Sequence, residues 1–241
     1  MVIFLTNVIQ GITGFAGTIL AMPPGLMLVG YDVAKPILNM LGILAGIYVF
    51  LTQRKHVNWK ELRKVVVIMA FGIFLGFFLK HLLTGYDEVL YKALGIFVIV
   101  LAVQGYRNSV RRKNTEEKGA FAGKEEVKSV ALLVSSGIVH GMFVSGGPLL
   151  IGYLSKTIKE KTGFRATIST IWIILNTIIL IQDIHTGLWT EKLLVTQMIS
   201  VPFLIAGMIL GSVLVKRMSQ ELFMKLTYIL LFLSGVLLMF K

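Results

Sequence analysis

Long apolar stretches alternate with short polar segments along the whole chain. A helix needs about 20 apolar residues to cross the hydrocarbon core of a bilayer. Eight stretches approach or exceed that length, namely residues 2–29, 36–51, 65–83, 89–106, 130–154, 167–184, 193–215 and 222–240. This pattern predicts an all-α integral membrane protein with eight apolar segments.

A polar and basic segment at residues 107–128 divides these stretches into two halves of four. Each half opens with a stretch that Gly and Pro interrupt, followed by a basic residue before the next helix. Internal duplication of this kind is common in transporters. We therefore predict a first membrane repeat at residues 1–106, a basic cytoplasmic linker at 107–128 and a second membrane repeat at 129–241.

The distribution of Lys and Arg favours two oppositely oriented repeats. Cytoplasmic loops of membrane proteins carry an excess of these residues. If the first stretch of each half enters the membrane and returns to the same side, 19 of the 24 Lys and Arg residues lie inside; if all eight stretches cross, 14 do. We expect two inverted repeats, each a broken or re-entrant Gly/Pro-rich element plus three transmembrane helices, with eight crossing segments as the alternative.

Composition supports a location in the lipid bilayer. The 241 residues are 56% hydrophobic and 15% charged, and the mean hydropathy is +0.81, which lies outside the usual range of soluble domains. The net charge of +12 comes from basic residues between apolar stretches, as in membrane loops, so we expect no nucleic-acid partner. Because Cys is absent, disulfides and thiol chemistry are excluded.

Glycine and proline interrupt the first stretch of each half. The first break lies in GITGFAGTILAMPP, residues 11–24, and the second in GIVHGMFVSGGPLL, residues 137–150. Backbone that leaves helical geometry at membrane depth is tolerated only where it is buried in protein or lines a cavity. Helix ends at such a break present free N–H groups and a positive dipole end, which favour an anion. We predict that the two breaks together form a two-fold-related anion site.

The predicted donors of this site are backbone N–H and hydroxyl groups at Gly17, Thr18, Ser145, Gly146 and Gly147. The alternative is that the glycines only let helices pack closely. We prefer the anion site for the two breaks, since paired interruptions in corresponding positions mark transporter binding sites. Close packing is the preferred interpretation for the glycine pairs spaced four residues apart, Gly72 with Gly76 and Gly207 with Gly211.

Single polar residues also interrupt the apolar stretches. Asn39 and Asn176 are candidate substrate ligands, although each could instead hydrogen-bond to a neighbouring helix. Arg165 is a further candidate ligand, with a cytoplasmic charge or an interfacial anchor as the alternative. His140 could couple transport to protons, but we prefer a structural role because the sequence shows no intramembrane carboxylate as its partner. Asp183 is expected to be solvated in an outer loop.

The two interrupted motifs resemble those of a known family. GITGFAGTILAMP is similar to the first-repeat signature of the TauE/SafE sulfite exporter family, and GMFVSGGPLLIGYL resembles its second-repeat Gly-Gly-Pro signature. The resemblance extends over nearly the whole chain, although Ala16 stands where the family often has a further glycine. It implies a multi-pass transporter of small anions, often sulfur oxyanions or organosulfonates, in the cytoplasmic cell membrane of a prokaryote.

The leading functional prediction is a secondary transporter that moves a small anion such as sulfite by alternating access. We expect no cofactor, metal or catalytic residue, and the sequence does not define the oligomeric state. The chain contains no GxxxxGK[ST] loop, so it has no ATP-binding motor of this type. A passive anion channel would use the same donors. An intramembrane serine hydrolase built on Ser145 and His140 is disfavoured, because Phe143 replaces the first glycine of G-x-S-x-G.

Overall fold

The computed structural model describes residues 1–82, 122–144 and 146–240, together with isolated positions between 89 and 107. These residues form the α-helices α1 (Val2–Thr13), α2 (Ala16–Val29), α3 (Tyr31–Gln53), α4 (Trp59–Leu82), α5 (Ala122–Phe143), α6 (Gly147–Thr157), α7 (Lys161–His185), α8 (Glu191–Arg217) and α9 (Gln220–Met239). A 3₁₀ turn, Arg54–His56, follows α3. No strand occurs in the described ranges, and the prediction of an all-helical protein is confirmed.

Five of the described helices are long and apolar enough to cross a membrane: Asp32–His56, Trp59–Leu79, Lys161–His185, Glu191–Arg217 and Gln220–Leu237. Each coincides with a stretch that the sequence predicts to span. The sixth predicted span, residues 89–106, falls largely outside the described residues. The orientation of the spans and the inverted relation of the repeats stay predictions.

Both predicted breaks are present as interruptions between helices. α1 ends at Gly14, whose φ of 85° and ψ of 0° lie in the left-handed region, and α2 begins two residues later. α5 ends at Phe143 and is followed by Val144 with a φ of 53°, a conformation that is costly for a β-branched residue. Ser145 lies outside the described residues, and α6 begins at Gly147. The Gly/Pro-rich patterns therefore identified these helix ends.

The chain forms two compact units. The first contains Met1–Val66 and Lys159–Ser219, and the second contains Val67–Ile158 and Gln220–Lys241. Each unit therefore combines helices from both predicted repeats. Because a repeat concerns duplicated sequence rather than packing, the division at residues 107–128 stays a prediction.

In the first unit, α3 packs on α7 and α1 packs on α8. Side-chain contacts join the start of α3 to the end of α7, so these two helices run antiparallel. A Cβ added to Gly211 of α8 would lie 2.3 Å from the backbone oxygen of Val8, and one added to Gly207 would lie 2.7 Å from that of Phe4. Apolar side chains from α2, α3 and α8 form a core cluster that includes Ala21, Met22, Leu38, Leu41, Leu204 and Met208.

In the second unit, α4 packs on α5 through glycines. A Cβ added to Gly72 would lie 2.6 Å from the backbone oxygen of Val134, and one added to Gly76 would lie 2.3 Å from that of Ile138. Gly141, which the sequence placed in the second break, lies within α5 on the same packed face. Since the facing atoms belong to backbone, a side chain would force the helices apart. The close-packing interpretation of both glycine pairs is confirmed.

Candidate functional site

The first break lies against the N-terminal part of α7. A Cβ added to Gly14 would lie 2.8 Å from Ser169 Oγ and 3.2 Å from the backbone oxygen of Arg165. The next residue, Phe15, packs edge-on against Phe164, with ring centroids 6.4 Å apart. Position 14 therefore requires glycine both for its left-handed backbone and for the close approach of α7.

The N–H groups that open α2 already have acceptors. Thr13 Oγ1 accepts from the N–H groups of Phe15, at 3.4 Å, and Ala16, at 3.2 Å. Gln10 Oε1 accepts from the N–H of Gly17 at 2.8 Å. The expectation of free backbone donors is therefore wrong for these three groups, because the chain supplies its own cap. An anion would have to replace Gln10 to reach the Gly17 N–H, and substrate binding by Gly17 stays a prediction.

Two predicted ligands, Thr18 and Asn176, lie beside Gly42 of α3, and a third, Asn39, contacts Asn176. Asn39 is buried, and its Nδ2 donates to the backbone oxygen of Asn176 at 3.1 Å. Its Oδ1 has no hydrogen-bond partner among the described residues. A Cβ added to Gly42 would lie 2.6 Å from Asn176 Nδ2 and 3.6 Å from Thr18 Oγ1. The missing side chain of Gly42 thus lets polar groups of α2, α3 and α7 converge.

Arg165 lies in the first turns of α7 and is buried, with 1% of its surface exposed. Its Nη2 donates to Ser212 Oγ of α8 at 2.7 Å. Its Nε and Nη1 have no hydrogen-bond partner in the described part of the chain. This burial excludes a solvent-exposed charge at Arg165, while its predicted position on the cytoplasmic side stays a prediction. Arg165 precedes Asn176 by eleven residues, about 16 Å along the helix, so it is separate from the asparagines.

An ion pair that the sequence did not predict lies at the other end of the α3–α7 interface. Lys35 Nζ lies 2.5 Å from Asp183 Oδ1, and the two side chains are 11% and 1% exposed. The expectation of a solvated Asp183 is wrong. The missed signal was helical spacing, because Lys35 precedes Asn39 by four residues and Asp183 follows Asn176 by seven. We call these four residues the α3–α7 seam.

The second break is packed against α5. A Cβ added to Gly146 would lie 2.3 Å from the backbone oxygen of Ser136 and 2.7 Å from His140 Cβ. Ser136 Oγ also donates to the backbone oxygen of Gly146 at 2.7 Å, and His140 is buried. Ser145 lies outside the described residues. The roles predicted for Ser145, Gly146, Gly147 and His140 stay predictions.

Nearly the whole chain matches one known protein family. The family model described as sulfite exporter TauE/SafE covers residues 1–238. The chain belongs to this family. No curated protein and no solved structure matches it.

Membership in the TauE/SafE family confirms the resemblance carried by the two interrupted motifs. Together with the apolar helices, it makes this TauE/SafE protein a multi-pass membrane protein of an anion-transporter family, and the family is not one of enzymes. Within the described residues, no group of three or more His, Asp or Glu side chains could hold a metal ion.

Proposed function

We propose that this TauE/SafE protein carries a small sulfur oxyanion such as sulfite across the membrane by alternating access, with Arg165 as its principal charged ligand. The supporting observation is the buried guanidinium, two of whose nitrogen atoms have no partner among the described residues. A buried charge costs free energy unless it is paired and hydrogen-bonded. A bound oxyanion would provide both the opposite charge and the missing acceptors.

Arginine suits this role because its guanidinium carries five N–H donors and stays charged in proteins. Ser212 accepts from one nitrogen and so orients the group. Charge-assisted hydrogen bonds to a sulfite or sulfonate oxygen are stronger than neutral ones. Arg165 would therefore contribute most of the binding free energy at its end of α7.

The neutral groups around Gly42 would contact the same substrate farther along α7. Neutral hydrogen bonds contribute less net free energy than charge-assisted ones, and weaker binding along a path lets an ion leave. Thr18, Asn39 and Asn176 would serve in this way. The further proposed contacts are at the breaks, Gly17 in the first and Ser145, Gly146 and Gly147 in the second, with His140 as the proposed proton-coupling residue.

The proposal is tested by removing the Arg165 charge. In purified Arg165→Met we expect the apparent affinity for sulfite to fall roughly ten-fold or more, measured by the sulfite-dependent rise in thermal unfolding temperature. Arg165→Lys should retain part of the affinity because the charge remains. The matched control is Arg63→Met, which removes an exposed charge on α4 and should bind sulfite as the wild type does. Unchanged affinity in folded Arg165→Met would contradict the assignment.

Flux in proteoliposomes separates a carrier from a channel. A carrier that alternates access shows saturable uptake of labelled sulfite that is accelerated by unlabelled sulfite on the opposite side, whereas a channel shows no such acceleration. We expect acceleration. Its absence in protein that conducts sulfite would contradict alternating access and favour the passive channel.

A further inference from the structure

The Lys35–Asp183 pair lies in the same buried interface as the proposed ligands and near one end of it. Lys35 is the fourth residue of the apolar span Asp32–His56, and Asp183 is the third from the end of Lys161–His185. Residues four apart on a helix have Cβ atoms about 5–6 Å apart, so Lys35 is one turn from Asn39. The seam therefore holds a cation next to an amide that the proposed substrate would contact.

Stability alone does not explain a charged pair at this position. Desolvation of two charges commonly offsets their attraction, and apolar side chains of similar volume are often at least as stabilising. The α3–α7 interface also packs closely without the pair, since a Cβ added to Gly42 or Gly46 would lie 2.6 Å or 2.7 Å from atoms of α7. Ionisable residues inside membrane-crossing helices are rare and usually functional. A role beyond packing is therefore indicated.

We propose that Lys35 is a second anion-binding residue and that the Asp183 carboxylate forms an ion pair with it when no substrate is bound. This inference rests on the proposed function. An oxyanion that reaches this end of the seam replaces Asp183 as the partner of Lys35: one ion pair breaks, another forms, and no proton is transferred. A lysine ammonium suits such an exchange because it is a point charge on a flexible stem. The nearby Asp183 carboxylate continues to compete with the anion for Lys35, so the anion is held weakly enough to leave.

The proposed exchange gives the path one buried cation near each end of α7. Arg165 and Asp183 are 18 residues apart, about 27 Å along the helix, which is close to the roughly 30 Å thickness of a bilayer's hydrocarbon core. In the predicted orientation Lys35 lies near the outer surface and Arg165 near the cytoplasmic one. The substrate would therefore pair with Lys35 near one end of the path and with Arg165 near the other. Between them it would pass the neutral amides.

The decisive test removes both charges of the pair together. In Lys35→Met/Asp183→Leu, apolar side chains replace the ion pair, and we expect a folded protein with a thermal unfolding temperature near that of the wild type. Its apparent sulfite affinity and its counterflow rate should fall roughly ten-fold or more. The matched control is Lys225→Met/Glu221→Leu, which removes a 2.9 Å pair whose side chains are 40% and 60% exposed and should leave both quantities unchanged.

A second variant removes only the competitor. Asp183→Asn leaves Lys35 without its carboxylate, so the variant should be less stable than the wild type without anion and should bind sulfite roughly ten-fold more tightly. Sulfite should therefore raise its unfolding temperature more than it raises that of the wild type. If folded Asp183→Asn binds sulfite no more tightly than the wild type, Asp183 does not compete and the inference is overturned.

The outcomes distinguish this inference from the proposed function on which it rests. A folded Lys35→Met/Asp183→Leu with wild-type sulfite affinity and counterflow would make the pair structural only, and the proposed function would stand. Failure of the wild type to bind or transport sulfite and thiosulfate would overturn both. If Asp183→Asn does not fold, the double variant alone decides.

Discussion

Gly14 and Arg165, which are 151 positions apart in the chain, meet at the first break. Gly14 adopts φ 85°, and the α7 backbone at Arg165 lies 3.2 Å from where its Cβ would be. A side chain at position 14 would therefore strain its own left-handed backbone and would also clash with α7. This double requirement separates Gly14 from a glycine in an ordinary turn.

Gly14→Ala should lower the unfolding free energy by more than the roughly 1–2 kcal/mol that a left-handed residue costs. The excess arises because the new Cβ would lie 2.8 Å from Ser169 Oγ. Thermal unfolding in detergent measures the loss. Gly187→Ala is the control, since Gly187 has a φ of 71° but no atom within 4 Å of an added Cβ. Equal losses in the two variants would contradict crowding by α7.

Sequence reasoning found part of the candidate site because polar residues stand out in apolar stretches. Asn39, Asn176 and Arg165 were identified in this way. The burial of Arg165 was not predictable from periodicity, because it depends on Ser212 of α8, 47 residues away. Asp183 was missed because it lies near the end of its stretch, where a charge normally reaches water.

Among the helices, α7 begins with a side-chain cap that titrates. The Glu160 carboxylate accepts hydrogen bonds from the N–H groups of Thr162, at 2.8 Å, and Gly163. Partial burial would raise the pKa of Glu160, but hydrogen bonds from Gly163 and Thr162, together with the nearby His56, lower the pKa below its ordinary value. A lowered carboxyl pKa contributes stability that is present above the ordinary value and lost as pH falls through the folded one.

Glu160→Ala should therefore destabilise the protein by about 0.5–2 kcal/mol at pH 7, and this difference from the wild type should narrow as pH falls below about 4. Unfolding temperatures of both proteins between pH 7 and pH 3.5 measure it. Thr190→Ala is the control: Thr190 caps α8 through Oγ1, which accepts from the Leu193 N–H at 3.3 Å, and a hydroxyl does not titrate there. If the loss of stability in Glu160→Ala is as independent of pH as the loss in Thr190→Ala, the charged cap is contradicted.

The two glycine-mediated helix contacts have matching geometry. Gly211→Ala on α8 and Gly76→Ala on α4 would each place a Cβ 2.3 Å from a backbone oxygen. We expect each to lower the unfolding free energy by about 1–3 kcal/mol, measured by thermal unfolding. Gly25→Ala is the control because its Cβ would meet only side chains, the nearest at 3.2 Å; a comparable loss there would contradict the backbone clash.

Helix positions were predictable because length and hydropathy are local properties. Five predicted spans and both breaks appear in the described residues. Partners were not predictable, because nothing in α1 alone indicates that it packs on the glycine pair of α8 rather than on a neighbour in the chain. The same limit concealed the cap at Gln10, which lies seven residues before Gly17.

At the scale of the whole molecule, the two predicted topologies differ in which loops share a side of the membrane. The chain contains no Cys, so single substitutions to Cys can be labelled without background. With re-entrant first elements, Arg217→Cys should react with a membrane-impermeant maleimide from the cytoplasmic side and Lys192→Cys from the outside. With eight crossings the two results exchange.

Lys60→Cys controls this experiment, since residue 60 is cytoplasmic in both topologies. Lys60, Lys192 and Arg217 are all exposed, so each should be reachable once its side is presented. Labelling of Arg217→Cys from the outside, with Lys60→Cys protected there, would refute the inverted arrangement.

The contact between α1 and α8 also has a consequence for biosynthesis. A Cβ added to Gly11 would lie 3.0 Å from Gly211 Cα, so α1 packs on a helix that is synthesised about 200 residues later. At about 5–20 residues per second, translation needs roughly 10–40 s to proceed from one glycine to the other. During that interval α1 is in place without α8. A chain that stops before α8 should therefore lack the surface that covers Gly11 of α1.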